Sequence, residues 1–326
     1  MTVVVFGIDA LDPDLVDPAV HPNLALSGVH RIDTIVSSSG EPSTHELWPT
    51  IITGLRPAEH GLTLDDDGVA WGNPLLDAGS RVADVLLPDG LQSRIGAWLL
   101  TNTGFDAFRT PATYYADAGI ETVFDDRAAT AIGVPNYVVD TDAEDREHAL
   151  RQEMGDLFER DPEATGGHRS ADPETFYDRC IEMALVRTAR IRAVLRARRH
   201  ELVFGYTSAM DLVGHVAYDS PGMQSAVYAA LDDFVGDLRD DLADGDELVL
   251  VSDHGLQDGV HTDEAMIAAT DAALVADVDS VVDVRAALEA AMDDGEHRPD
   301  GHDFGATAGG DADRVREQLE DLGYME

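Results

Sequence analysis

Two short segments and the end of the first apolar run combine carboxylates with imidazoles at spacings that suit metal binding. Asp211 and His215 are four residues apart in DLVGH, so a helix would place both side chains on one face. Asp253 and His254 are adjacent in SDHG, where they can serve two neighbouring ions or bridge them, and Asp9 closes the run TVVVFGID. Mixed carboxylate and imidazole ligands favour Zn²⁺, with Mn²⁺ or Fe as alternatives, whereas Ca²⁺ and Mg²⁺ are normally held without several histidines.

Each of these segments taken alone also has an ordinary structural explanation. Aspartate often caps the helix that follows a strand, so a single acidic residue there is more often a cap than a ligand. Here three apolar runs end in acidic or hydroxyl groups, and two of them continue to a histidine: VVVFGIDALD, LVFGYTSAMD and LVLVSDHG. The repetition favours one shared site, to which His261, seven residues after His254, adds a further nitrogen donor.

Hydroxyl side chains, a different kind of chemical group, occur in residues 37–61, SSSGEPSTHELWPTIITGLRPAEHG. The polar start of this segment follows the strand-like run HRIDTIV, and its later part predicts a helix beginning near Trp48. A hydroxyl at such a junction benefits from the positive end of the helix, and the free N–H groups there can bind phosphoryl oxygens. Ser43 or Thr44 would equally serve as an N-cap, and the segment alone favours that simpler role.

Strand-like and helical segments alternate along the chain. The β-branched runs are TVVVFGID, HRIDTIVSS, RIGAWLL, ELVFGYTS and DELVLVSD; the longest helical stretches are PETFYDRCIEMALVRTARIRAVLRARR and QSAVYAALDDFVGDLRDDLA. The alternation predicts an α/β fold with a largely parallel central sheet, covered on both faces because the strands are almost wholly apolar. The functional loops of such sheets lie beyond the C-terminal ends of the strands, where the acidic groups stand.

Residues 102–175 are rich in Asp, Glu, Gly, Pro and Thr and show weak periodicity. We interpret them as strand connections together with a small cap or elaborated loops, not as a separate domain. The prediction is therefore a single domain over residues 1–326.

The charge of the chain is strongly negative: the formal net charge is −42, from 22 basic residues, all arginine, against 64 acidic ones. Long acidic blocks with few apolar residues, typical of disordered or partner-binding proteins, are missing. Scattered aspartates instead indicate a surface adapted to a cytoplasm with molar salt, where a Debye length of about 3 Å screens their repulsion.

Composition also bears on partners and location. No basic stripe is present to gather phosphates, which argues against nucleic acid as a partner. The single cysteine, Cys180, excludes an internal disulfide and a thiolate metal site. Apolar runs fall short of the roughly 20 residues of a membrane span, and the run TVVVF is typical of a buried strand rather than a signal peptide. We expect a soluble cytoplasmic protein without a membrane partner. The composition does not determine its oligomeric state.

Taken together and in this order, the segments resemble the alkaline phosphatase superfamily, most closely its branch of type I phosphodiesterases and nucleotide pyrophosphatases. The resemblance extends from Asp9 through PSTHELWPTIITGLRPAEHG to DLVGH and SDHG, and covers nearly the whole chain. It implies a three-layer alkaline-phosphatase-like fold. Thr44, nine positions before Thr53, stands where this family has its nucleophile. Asp65 stands where nucleotide pyrophosphatases usually have an asparagine that holds a phosphoryl oxygen.

The resemblance also implies two metal ions, with ligands carried over position by position. One ion would be bound by Asp9, Thr44, Asp253 and His254. The other would be bound by Asp211, His215 and a histidine downstream of SDHG. We assign that histidine to His261, because the apolar stretch after it looks like a strand leading away from the site; His297 and His302, in a polar, Gly-rich segment, are the alternatives.

The implied activity is hydrolysis of small phosphodiesters or phosphomonoesters by two metals, most suitably zinc, through a phospho-threonine intermediate. Sulfatases of the superfamily are less similar, because they use a modified cysteine or serine where this chain has Thr44. A phosphonate hydrolase or phosphotransferase would use the same residues. A catalytically silent protein that binds a metal or a phosphorylated ligand is the alternative from another class.

Overall fold

The computed structural model describes residues 1–297 except 39, 66–67, 70–108, 142, 144, 156, 162 and 219. Its strands are β1 (Val3–Ile8), β2 (His30–Asp33), β3 (Leu64–Asp65), β4 (Gly68–Val69), β5 (Ala129–Ile132), β6 (Glu159–Arg160), β7 (His168–Arg169), β8 (Leu202–Thr207), β9 (Glu247–Val251), β10 (Gly255–Gln257), β11 (Val260–Thr262) and β12 (Glu264–Ala269). Its helices are α1 (Pro22–Ala25), α2 (Thr44–Thr53), α3 (Pro57–His60), α4 (Thr113–Ala118), α5 (Arg146–Glu153), α6 (Pro173–Ala197), α7 (Ala209–Val216), α8 (Pro221–Asp240) and α9 (Val284–Asp294), with a 3₁₀ turn at Ala272–Val275. None of these helices combines the length and apolar character needed to span a membrane.

Six strands form the central sheet in the order β2-β12-β9-β1-β8-β5. β1 runs parallel to both β8 and β9, and β5 runs parallel to β8. Only β12 opposes its neighbours within this sheet, pairing antiparallel with β9 and with β2. The predicted α/β class with a largely parallel sheet is confirmed. The strand-like run RIGAWLL lies outside the described residues.

Two hydrophobic cores cover the two faces of the sheet. Along β1, Val4 and Phe6 join the core formed by α6, α7 and α8, while Val3 and Val5 join the core formed by α2 and α9. The alternation follows from the two-residue period of a strand. The result is three layers, helices on either side of one sheet, and the near-continuous apolar strands reflect burial on both faces.

The C-terminal ends of β1, β8 and β9 lie at one edge of the sheet. Ile8 pairs with Thr207, and Gly7 pairs with Val251, so the three strands end side by side. Asp9 follows the first of them, α7 begins just after the second, and the SDHG segment follows the third. The strand order therefore brings together acidic segments that are far apart along the chain.

Two details differ from the sequence-based expectations. β5, within the weakly patterned region, is an edge strand of the central sheet and not part of a cap. Helix α2 begins at Thr44, four residues before Trp48. Proline is typical of a first helical turn, but Pro49 lies inside this helix. The missing amide of Pro49 is replaced by Asn136, whose Nδ2 donates to the carbonyl of His45 at 2.9 Å.

Helix α2 is held against the sheet by a close contact between Gly7 and Trp48. A Cβ added to Gly7 would lie 2.5 Å from the indole ring, which is fully buried. Gly7→Ala is therefore expected to lower the free energy of unfolding by about 1–3 kcal/mol through overpacking, measured by urea denaturation. Gly222→Ala is the control, because its new Cβ meets no atom within 4 Å in α8. Equal stability of Gly7→Ala and the parent would contradict this packing.

Candidate functional site

Carboxylates and imidazoles from four parts of the chain, and a threonine hydroxyl from a fifth, meet at the C-terminal edge of the sheet. Asp211 and His215 lie one helical turn apart on α7, so their side chains point the same way. His261 lies on β11, in the hairpin that follows SDHG. Asp211 Oδ1 is 3.3 Å from Nε2 of His215 and 3.3 Å from Nε2 of His261. The two Nε2 atoms are 3.0 Å apart, which makes a compact three-residue set.

A second group surrounds the hydroxyl of Thr44. Thr44 Oγ1 is 3.3 Å from Asp9 Oδ1 and 3.4 Å from His254 Nε2. His254 Nε2 is also 3.4 Å from Asp9 Oδ1 and 3.4 Å from Asp253 Oδ2. Asp253 and His254 lie in the loop after β9 rather than on an extended strand, so both side chains turn toward the same group.

The two groups adjoin each other. Ligand atoms of Asp211, Asp9 and His254 lie within 4.8 Å of one another, so Asp211 belongs to both sets. The rings of His254 and His261 stack with centroids 4.0 Å apart. The structure thus brings together all seven residues expected from the sequence: Asp9, Thr44, Asp211, His215, Asp253, His254 and His261.

The candidates for the third histidine of the Asp211 set lie in different parts of the structure. His261 is at the site, whereas His297 lies beside the N-terminus, with its Nδ1 3.2 Å from the carbonyl of Met1. His302 lies outside the described residues. The placement favours His261 as the third nitrogen donor.

The orientation of the three imidazoles is set by the main chain. Nδ1 of His215 lies 3.1 Å from the carbonyl of Gly259, Nδ1 of His261 lies 3.2 Å from that of Pro42, and Nδ1 of His254 lies 3.1 Å from that of Gly255. A carbonyl oxygen only accepts, so each Nδ1 carries a proton and donates it. Each Nε2 therefore faces the cluster, the arrangement found in metal-binding histidines.

The carboxylates of the cluster are unfavourable neighbours in the absence of cations. Burial raises the pKa of Asp9 to about 6, and the charge of Asp211 adds to this effect. Burial and the charge of Asp9 together raise the pKa of Asp253 well above its usual range. Burial also disfavours the charge of Asp211, but the adjacent His215 holds the pKa of this carboxyl well below its usual range.

The imidazoles respond in opposite ways. Burial lowers the pKa of His254 to about 3, with the charge of His261 adding to it, so this ring is a neutral donor near pH 7. Burial also works against the charge of His215, yet Asp211 raises the pKa of His215 to about 9. A proton on His215 thus balances the Asp211 charge, and a bound cation would displace it.

The donor set fits divalent cations. Among the described residues, Asp211 Oδ1 and Asp253 Oδ2 are buried without a hydrogen-bond donor. No arginine of the described part of the chain forms a salt bridge with Asp9, Asp211 or Asp253. Buried carboxylates normally require a pairing charge or a metal ion. Carboxylate oxygens and imidazole nitrogens aimed at the same space are suitable ligands for Zn²⁺, Mn²⁺ or Fe.

Two residues that the sequence did not indicate stabilise this arrangement. The hydroxyl of Tyr206, on β8, donates to Asp9 Oδ2. Asp12 Oδ1 accepts from Gln257 Nε2 at 3.1 Å, and Asp12 Oδ2 accepts from Thr262 Oγ1 at 3.3 Å, which ties the loop after β1 to the hairpin that carries His261. Asp12 follows Asp9 by three residues, and this short spacing is the feature of the sequence that could have indicated its place beside the site.

His60, the histidine of the PAEHG motif, is buried away from the cluster. Its Nδ1 accepts from the amide of Leu62 at 3.2 Å, and its Nε2 lies 3.1 Å from Thr50 Oγ1. Burial lowers the pKa of His60 from 6.5 to about 4. Between those pH values the unfolded chain binds the extra proton, so stability present above pH 6.5 is lost as the pH falls toward 4.

We therefore expect His60→Asn, which keeps an acceptor near Leu62, to weaken the acid dependence of stability. Urea unfolding at about pH 7.5 and pH 5 measures this difference. The variant should be the less stable protein at the higher pH and lose less stability on acidification. An unchanged pH dependence would contradict the neutral, buried state of His60.

Comparisons with known proteins identify the family of the chain. A model of the family described as type I phosphodiesterase/nucleotide pyrophosphatase matches residues 3–323. A comparison with curated protein sequences finds no match.

Similar solved structures share little sequence identity with this chain. Murine ectonucleotide pyrophosphatase/phosphodiesterase 5 is 17% identical, over 78% of this chain and 57% of its own, with a TM-score of 0.41. Phosphonoacetate hydrolase from Sinorhizobium meliloti, in complex with phosphonoformate, is 16% identical over 78% of this chain and 56% of its own, with a TM-score of 0.39. Alkaline phosphatase from the Antarctic bacterium TAB5 is 12% identical over 90% of this chain and 99% of its own, with a TM-score of 0.41. This chain thus spans little more than half the length of the first two proteins.

The family match covers nearly the whole chain and includes every segment on which the resemblance was based. The chain belongs to the type I phosphodiesterase/nucleotide pyrophosphatase family.

Proposed function

We propose that this chain hydrolyses small phosphate esters with two divalent cations and with Thr44 as the nucleophile. The family supports hydrolysis of phosphoester bonds. The observation that supports the finer proposal is the position of Thr44 Oγ1, 3.3 Å from Asp9 Oδ1 and 3.4 Å from His254 Nε2, beside the Asp211 set. A threonine that only capped the helix would have no reason to face a carboxylate and an imidazole.

The two ligand sets follow from the distances. One cation would be held by Asp9, Thr44, Asp253 and His254, and the other by Asp211, His215 and His261. Zn²⁺ suits the imidazole nitrogens best, with Mn²⁺ or Fe as alternatives. When bound, the cations would supply positive charge that stabilises the attacking and leaving oxygens and favours the ionised form of the threonine hydroxyl.

The reaction has two steps. Thr44 Oγ1 gives up its proton to solvent and forms a bond to phosphorus, while the bond from phosphorus to the leaving oxygen breaks and that oxygen takes a proton from solvent. A water oxygen then attacks the phosphorus, the Oγ1–P bond breaks, and Thr44 Oγ1 takes up the proton that this water releases. Thr44 is the first residue of α2, so a phosphoryl group on Oγ1 would lie at the positive N-terminal end of that helix. Asp9 Oδ1, which accepts from the Thr44 hydroxyl at 3.3 Å, orients Oγ1 before the attack.

The proposed function leaves open the class of substrate and concerns a protein that works at high salt concentration. A phosphonate hydrolase or a phosphotransferase would use the same residues, with a different bond or acceptor. The excess of carboxylates supports work in a cytoplasm of molar salt, where their repulsion is screened. Nucleic acid is a poor substrate for so acidic a chain.

The test is a screen of p-nitrophenyl phosphate and bis(p-nitrophenyl) phosphate in molar KCl, with Zn²⁺, Mn²⁺ or EDTA, alongside metal analysis by mass spectrometry. We expect two ions per chain and release of p-nitrophenol that EDTA abolishes. Two bound ions without turnover of any ester, phosphonate or transfer substrate would instead identify a catalytically silent metal-binding protein. Absence of bound metal would refute the proposal.

A further inference from the structure

The β6–β7 hairpin lies against the helix that carries two residues of the site. β6 and β7 pair antiparallel, with Arg160 opposite His168. The tip of the hairpin meets the backbone of α7: a Cβ added to Gly166 would lie 2.3 Å from the carbonyl oxygen of His215. The hairpin also contacts the turn between β10 and β11, since a Cβ on Gly259 would lie 2.7 Å from the Cα of Gly166. Gly259 is the residue whose carbonyl faces Nδ1 of His215.

A column of aromatic rings connects this hairpin to the core. Phe176 is fully buried on α6, and Phe158 stacks on it with centroids 5.5 Å apart and planes 6° apart. His168 stacks on Phe158 at 4.3 Å and 10°. The ring of His168 then meets the ring of His215 at 5.4 Å and 58°. His168 is fixed further by its Nδ1, 3.2 Å from the carbonyl of Gly166.

His168 is close to the site without belonging to either ligand set. Its ring meets the His215 ring at a tilt of 58°, whereas Nε2 of His215 faces Asp211. Two constraints on His215 are therefore separate: Gly259 fixes which nitrogen faces the cluster, and the aromatic column limits how far the ring can tilt. Support of this kind around a ligand typically changes metal affinity by about 10–100-fold.

We infer that His168, with Phe158 beneath it, is a positioning residue that braces His215 and so sets the affinity of the Asp211–His215–His261 set for its cation. The inference rests on the proposed metal chemistry. It assigns a role to a hairpin from the weakly patterned part of the sequence. In this role the shape of the ring matters more than its nitrogens.

The test measures Zn²⁺ affinity of the purified chain in molar KCl by competition with a fluorescent chelator. His168→Ala should weaken binding of one of two ions by about 10–100-fold, and raised free Zn²⁺ should restore its hydrolytic rate. His168→Phe keeps a flat ring in the column and should bind both ions nearly as the parent does. Circular dichroism checks the fold of each variant.

A glycine pair tests the adjoining contact of the hairpin with the backbone of His215, without altering any aromatic ring. Gly166→Ala would press on His215 and should weaken the same ion, as His168→Ala does. Gly167→Ala is the matched control: its φ of +68° strains the hairpin, but its Cβ meets no atom within 4 Å. Gly167→Ala should therefore leave Zn²⁺ affinity close to that of the parent. This pair decides the matter if His168→Ala does not fold.

Three results would overturn the inference. Parental Zn²⁺ affinity in both His168→Ala and Gly166→Ala would show that the hairpin does not brace His215. A raised KM at parental Zn²⁺ affinity, not rescued by His168→Phe, would make His168 a substrate contact instead. Equal weakening by Gly166→Ala and Gly167→Ala would reduce the effect to hairpin strain. Failure of the parent chain to bind Zn²⁺ would instead refute the proposed function.

Discussion

Replacing Thr44 by alanine is expected to lower the rate of phosphate ester hydrolysis by about 1,000-fold or more while both cations stay bound. The reason is that Thr44 Oγ1 is the oxygen that bonds to phosphorus in the proposed reaction, whereas the remaining proposed ligands are three carboxylates and three imidazoles. Turnover of p-nitrophenyl esters and metal content by mass spectrometry are measured on the same sample. Residual activity would reflect the charge and binding that remain in the site.

Ser43→Ala is the matched control for this experiment. Ser43 is the neighbouring hydroxyl residue at the N-cap of α2, and its side chain makes no capping hydrogen bond. Its loss should leave turnover near the parental rate. If Thr44→Ala hydrolyses esters as fast as the parent, or if Ser43→Ala is the inactive variant, the assignment of the nucleophile is wrong.

Replacing Asp211 by asparagine is expected to weaken cation binding by about 100-fold or more, with a corresponding loss of activity at limiting metal. Asp211 Oδ1 lies 3.3 Å from each of the Nε2 atoms of His215 and His261, and the same carboxylate also adjoins Asp9. An amide oxygen keeps the shape but removes the charge that attracts the ion. Chelator competition measures the affinity, and thermal unfolding with and without Zn²⁺ measures the linked stabilisation.

The stability of the metal-free form of this variant depends on two opposing effects of the Asp211 charge. Asp211→Asn relieves the repulsion that, together with burial, raises the pKa of Asp9, and it also removes the attraction that raises the pKa of His215 to about 9 against the effect of burial. Asp237→Asn is the control for loss of a single charge, because Asp237 of α8 forms an ion pair with Arg192 of α6 at the surface. Parental Zn²⁺ affinity in Asp211→Asn would exclude Asp211 as a ligand.

The parts of the fold that the sequence predicted are those with strong local patterns. β1, β8 and β9 are buried on both faces and are almost wholly apolar, and the long helices α6 and α8 have clear periodicity. β5 was missed because ATAI is short and only partly buried at the edge of the sheet. The early start of α2 was missed because a distant asparagine compensates for the proline inside the helix.

The site shows the same division. The motif segments were identifiable because each contains its own chemical groups, and strand ends of a parallel sheet meet at one edge. Tyr206 was not identifiable, since it lies inside the apolar run LVFGYT and reaches Asp9 only through strand pairing, in which Gly7 stands opposite Tyr206. The bracing of His215 by His168 depends likewise on the packing of a hairpin against a helix, which no local pattern specifies.

The three site histidines share one property with a bearing on how this protein can change over time. Their ring protons point to peptide carbonyls of Pro42, Gly255 and Gly259, which every amino acid possesses. The acceptor atom stays in place as long as the chain keeps its path, which at Gly255 and Gly259 requires glycine, because a Cβ there would lie 2.4 Å from Asp12 Oδ2 and 2.7 Å from the Cα of Gly166. Neighbouring side chains are free to diverge toward new substrates while the same nitrogens go on facing inward.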